Sequence, residues 1–130
     1  MPYQYQITEQ DGYLKIEVNG TRKGENVAEQ SLTMWTEVAS LCRQRHIDGI
    51  LAIFHLTGRR SLVNTFDIVE GVKPLLWPEL KIAYIDMDEE NRQQNSIAET
   101  SALSHGINFR TFESIEEGQR WLKASINATR

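Results

Sequence analysis

The residues best equipped for chemistry lie together in His55-Leu56-Thr57-Gly58-Arg59-Arg60-Ser61. Gly58 permits close backbone approach, Arg59 and Arg60 supply fixed positive charge, and Ser61 is suited to cap a following helix. A helix start adds unpaired amides and a partial positive charge, so the stretch makes a seat for a phosphate, a carboxylate or an acidic partner. The competing reading leaves the arginines solvated and gives Ser61 no task beyond capping. No phosphate-loop lysine motif or dinucleotide glycine fingerprint is present. A second group, Asp86, Asp88, Glu89 and Glu90, follows a strand-like run. Carboxylates there suit a magnesium ion, but the helix dipole favours acids at a helix start without any ion. A salt link to Arg59 or Arg60 would also occupy them.

His46, His55 and His105 fit no metal-ligand spacing, and with Cys42 as the single cysteine no zinc site is expected. His105 fits a helix C-terminus, where an imidazolium is stabilised. His55 ends a strand beside the arginine loop, and reads either as a packed, hydrogen-bonded residue or as the histidine an enzyme would use. No nucleophile elbow surrounds any serine, and no carboxylate pair has a hydrolytic spacing. No catalytic residue, metal or cofactor is therefore assigned.

Alternating strands and helices must position these groups. Tyr3, Tyr5 and Ile7 alternate with polar residues. Glu9-Gln10-Asp11-Gly12 makes a turn, and Tyr13, Leu14, Ile16 and Val18 resume the alternation, predicting an antiparallel hairpin. Val27, Ser31, Met34, Trp35, Val38, Leu41 and Cys42 recur at helical spacing, predicting a helix from about Glu25 to Arg45. Gly49–Phe54 is apolar without alternation, as in a central strand covered on both faces. Leu62, Phe66, Val69 and Val72 predict a helix that Pro74 stops near Lys73. A second buried strand runs from Lys81 to Ile85. The acids from Asp86 to Glu90 open a helix whose small apolar face is Ile97, Ala98, Ser101 and Ala102, ended by His105-Gly106. Ile107–Phe112 is a short last strand. Ser114 and Glu117 make a capping box for a final helix carrying Ile115, Trp121, Leu122 and Ile126. The order predicts an α/β fold: a mixed, mostly parallel sheet with an N-terminal antiparallel hairpin, in one domain spanning residues 1–130.

Composition narrows the function. The chain is 40% apolar and 25% charged, with a net charge of −4. This is ordinary globular composition, and without a basic face nucleic acid is not an expected partner. No signal region and no apolar stretch of about 20 residues is present, so neither export nor integral membrane association is expected. A cytoplasmic location is the simplest, with Cys42 a core thiol. The apolar connection Leu75-Leu76-Trp77-Pro78 reads as a cap on the core or, alternatively, as a contact with a partner or with a second copy in a homodimer.

The stretch from Gly49 to Leu62 resembles the central strand and loop of bacterial SpoIIAA-like proteins. So do Ile82-Ala83-Tyr84-Ile85 and His105-Gly106-Ile107-Asn108-Phe109-Arg110-Thr111-Phe112, running into Glu116–Leu122. The resemblance covers nearly the whole chain in element order. It implies the STAS-type fold of anti-sigma-factor antagonists, with a distant likeness to CRAL-TRIO lipid carriers. In the antagonists a serine at the start of the helix after the central strand is phosphorylated, which switches binding to an anti-sigma kinase. Ser61 is the residue matching that place. The family's usual Asp-Ser-Ser-Gly-Leu context is absent, since Arg59 and Arg60 precede Ser61 and no glycine follows.

The first functional expectation is a non-catalytic regulatory or interaction domain working through Thr57–Ser61 and the helix after it, with a protein partner. The alternative is a carrier that holds an anionic metabolite, nucleotide or lipid headgroup between His55, the same loop and Asp86.

Overall fold

A computed structural model describes residues 4–21, 27–57 and 62–128. The hairpin expected at the start is present. Strand β1 (Gln4–Gln10) pairs antiparallel with β2 (Tyr13–Thr21), and Gln10 lies opposite Tyr13. Only Asp11 and Gly12 make the turn, with φ of 51° and 88°, the left-handed pair that a tight two-residue hairpin demands.

After the hairpin come α1 (Val27–Arg45), β3 (Gly49–Thr57), α2 (Leu62–Val72), β4 (Lys81–Asp86), α3 (Arg92–Ser104), β5 (Asn108–Phe112) and α4 (Ile115–Ala128). The five strands lie in the order β1-β2-β3-β4-β5, and every pairing after the first is parallel. The mixed, mostly parallel sheet expected from the sequence is thus the architecture. Because each crossover moves one place in the same direction with the same hand, α1, α2 and α3 fall on one face. Helix α4 follows the last strand and packs on the other face, against β3, β4 and β5.

Strand alternation divides the core accordingly. Leu14, Ile16, Val18, Ile50, Ala52, Phe54, Ile82 and Tyr84 face the three-helix side and meet Met34, Trp35, Val38 and Cys42 of α1, Val69 and Val72 of α2 and Ala102 of α3. Leu51, Ile53, Ala83 and Ile85 face α4 and meet Leu122. Strand β3 is buried on both sides, which explains its unbroken apolar run. Cys42 lies fully inside, and burial pushes its thiol up to about 12, so it stays protonated and inert.

Helix α2 departs from its expected face. Phe66 stands 46% exposed, and Thr65, 1% exposed, takes the inward position. The cause is the contact with α1. A Cβ added at Gly71 would come 2.4 Å from Leu32 Cδ2, so α2 presses its glycine against α1 and turns Phe66 outward on the far side. Pro74 acts as expected: the α-helix ends at Val72 and a 3-10 turn spans Lys73–Leu75. Leu75–Pro78 is fastened to the end of α1. Arg43 Nη2 donates to the Leu75 carbonyl at 2.8 Å and its guanidinium lies 5.0 Å over the Trp77 ring, whose Nε1 donates to Asp48 Oδ1 at 3.0 Å.

Helix α1 ends on a left-handed residue that is not glycine. His46 has φ 56°, and the Ile47 amide donates back to the Cys42 carbonyl at 2.9 Å. Left-handed backbone costs a side-chain-bearing residue about 1–2 kcal/mol, whereas glycine loses about 0.5–1 kcal/mol in extra unfolded-state freedom. His46→Gly is therefore expected to stabilise the fold by about 0.5–1 kcal/mol, read as a higher midpoint in urea unfolding with an unchanged slope.

Candidate functional site at the carboxyl edge of the parallel strands

In open α/β sheets ligands gather beyond the carboxyl ends of the parallel strands. Here that edge is set by Thr21, Thr57, Asp86 and Phe112, the last residues of β2, β3, β4 and β5. Thr57 Oγ1 donates to Thr21 Oγ1 at 3.3 Å, tying the ends of β2 and β3 together. Gly58, Arg59, Arg60 and Ser61 lie outside the described residues. Helix α2 begins at Leu62, directly after them.

His55 and Asp86 occupy neighbouring strands but point to opposite faces. His55 shares its parity with Leu51 and Ile53, on the α4 side. There its Nε2 lies 3.7 Å from Glu17 Oε2, and Glu17 also meets Lys15 Nζ at 3.1 Å. Asp86 is paired in register with Phe54 and so faces the three-helix side. It is 5% exposed, and its Oδ1 accepts the Asp88 amide at 2.9 Å. That bond closes a local turn leaving β4. The structure thus brings His55 and Thr57 together on β3 and sets Asp86 apart from them. The helix expected to open on Asp86–Glu90 starts later. A 3-10 turn spans Glu89–Asn91 and α3 begins at Arg92, because Asp86 already uses its carboxylate to shape the turn. Among the described residues, no group of three or more His, Cys, Asp or Glu side chains is arranged to hold a metal ion.

Sequence reasoning missed a polar cleft on this edge. A cavity of about 270 Å³ opens between β4, α3, the end of β5 and the start of α4, with Asp86, Asn95, Thr111, Glu113 and Glu117 in its wall. Glu117 serves the helix cap foreseen from the sequence: its amide donates to Ser114 Oγ at 3.2 Å, and Ser114 Oγ lies 3.1 Å from its Oε1. Nearby, Glu99 of α3 takes the Thr111 amide at 2.6 Å and the Thr111 hydroxyl at 3.2 Å, occupying a donor on edge strand β5. The signal that would have located the cleft is the parallel order itself, since the end of β5 is as much a part of the carboxyl edge as the ends of β3 and β4. With carboxylates from Asp86, Glu113 and Glu117 in its wall, the cleft prefers positively charged groups to anions.

No protein-family model matches the sequence, and no curated protein matches it. Solved structures match in shape. An anti-sigma factor antagonist from Mycobacterium paratuberculosis superposes with a TM-score of 0.60 at 8% identity, over 93% of this chain and 94% of that one. An uncharacterized protein from Shewanella loihica PV-4 with a SpoIIAA-like fold gives a TM-score of 0.53 at 14% identity, over the same 93% and 94%. The chain is similar to both in architecture, and its fold is the STAS/SpoIIAA-like one expected from its sequence. No helix among the described residues is long and apolar enough to cross a membrane.

Proposed function

We propose that residues 1–130 act as one non-catalytic regulatory domain of the cytoplasm, binding a protein partner through Thr57–Ser61 and α2. The observation that carries this reading is the fold shared with an anti-sigma factor antagonist, together with the end of β3 at Thr57 and the start of α2 at Leu62. In this reading Arg59 and Arg60 attract negative charge, and Ser61 is the position at which added charge changes binding. The exposed Phe66 lies one turn further along α2, an apolar anchor of the kind that interfaces bury. The carboxylates of the neighbouring cleft steer a partner that presents basic groups to that side. The carrier alternative gains nothing from the structure, which turns His55 and Asp86 to opposite faces of the sheet.

Photo-crosslinkers placed at Thr57 and at Phe66, with a control at Trp77 on the opposite edge, test the surface. The first two are expected to trap the same protein and the control to miss it. With that protein purified, Ser61→Asp is expected to change the Kd about tenfold or more, and Ser61→Ala much less. Trapping from the control alone, or an unchanged Kd in Ser61→Asp, overturns the reading.

A further inference from the structure

We propose that His105 and Glu70 form a pH-sensitive clasp that ties the end of α3 to α2 and releases it as the pH rises and the ring loses its second proton. The clasp is independent of the partner-binding reading, although α2 belongs to both. His105 follows the last turn of α3, and its two ring nitrogens each meet an acceptor. Nδ1 lies 2.8 Å from the Ser101 carbonyl, and Nε2 lies 2.7 Å from Glu70 Oε1 on α2. A carbonyl oxygen only accepts, so Nδ1 must carry a proton. Once it does, the neutral ring presents a bare lone pair at Nε2 to a carboxylate oxygen. Only the imidazolium satisfies both contacts. Loss of one proton therefore converts the link between the helices from attraction to repulsion.

The surroundings support this assignment. The bonds to Ser101 and to Glu70 hold the imidazolium above the usual histidine range, while partial desolvation and the charge of Lys73 pull the other way. Ser104 Oγ lies 3.4 Å from Nδ1 and carries no charge. Since the folded value is raised, the stabilisation is fully present below the unfolded-state histidine pKa and is lost as pH rises through the folded one. The clasp also has a definite place. Val69 and Val72 beside Glu70, and Ala102 and Ile107 beside His105, line an apolar cavity of about 60 Å³ between the helices and the sheet. Release frees the α2–α3 seam over that cavity.

The test is amide hydrogen exchange of Ala102–Ile107 and the second half of α2 at pH 6 and pH 8.5, corrected for intrinsic exchange. Protection in the wild type is expected to fall about two- to fivefold at the higher pH, as befits a partly exposed ion pair. Glu70→Ala should show the lower protection at both pH values. Glu70→Gln separates a clasp from a merely structural contact. Its amide donates to unprotonated Nε2, so protection should persist at pH 8.5, where the wild type loses it. Wild-type protection that ignores pH, or a Glu70→Gln variant that still loses protection at pH 8.5, overturns the proposal.

Discussion

Replacing Phe54 with alanine is expected to lower folding stability by about 3–5 kcal/mol and the Tm by roughly 10–20 °C. Phe54 is 3% exposed near the end of the central strand and sits within a row of rings. Its centroid is 6.4 Å from that of Trp35 on α1 and 4.7 Å from that of Tyr84 on β4, and Tyr84 is 5.3 Å from Phe109 on β5. Truncation removes the ring that joins α1 to the rest of this row. Phe54 already borders the apolar cavity of about 60 Å³, so the lost volume adds to an existing void. Rigid rings on either side collapse poorly into it, which places the cost at the upper end for such changes. Phe54→Leu keeps most of the volume and should lose about 1–1.5 kcal/mol. Urea unfolding of the two variants checks the pair of values. A loss below about 1 kcal/mol in Phe54→Ala would mean that the ring row is not what binds the three-helix layer to the sheet.

The elements were legible where one physical signal dominated. Glu9-Gln10-Asp11-Gly12 reads as a turn between two alternating runs, which is enough for the hairpin. That Glu9 and Gln10 belong to β1, leaving Asp11-Gly12 as the turn with Gln10 opposite Tyr13, is not in the spacing. The unbroken run from Gly49 to Phe54 announced a strand covered on both faces, and Ser114 with Glu117 announced the last helix. What was hidden depends on contacts distant in sequence. Spacing alone placed Phe66 with Val69 and Val72, but Gly71 against Leu32 sets the rotation of α2, and no local pattern records that. Parity within each strand was readable from the sequence. The register that sets Phe54 beside Asp86, and so separates Asp86 from His55, was not. The polar cleft was hidden for a related reason. Its wall draws on β4, α3, β5 and α4, and only the completed strand order brings them to one edge.

Gly118→Val is expected to cost about 2–3 kcal/mol, although the position lies within a helix, where glycine is ordinarily a poor choice. Gly118 is in the first turn of α4, its amide 3.3 Å from the Ser114 carbonyl. An added Cβ would come 2.9 Å from Ile85 Cδ1, 3.3 Å from Leu51 Cδ1 and 3.5 Å from Ala83 Cβ. The first two atoms end flexible side chains, but Ile85 and Leu51 are fully buried and have no solvent to move into. Alanine gains about 1 kcal/mol in helix propensity and loses a similar amount in crowding, so Gly118→Ala should stay near wild-type stability. Valine keeps the crowding, adds two methyl groups and forfeits part of the propensity gain. Urea midpoints of the two variants should therefore separate widely with similar slopes. Equal midpoints would show that α4 floats over the sheet and is not held by close approach at this glycine. The distinction reaches the candidate site, because Glu117, the residue just before Gly118, stands in the wall of the polar cleft. If α4 is seated as tightly as the Gly118 contacts require, the same valine that weakens the fold should lift Glu117 away from Ser114 and widen the cleft. Loss of protection at the Glu117 amide, greater than at the far end of the helix, would register that movement.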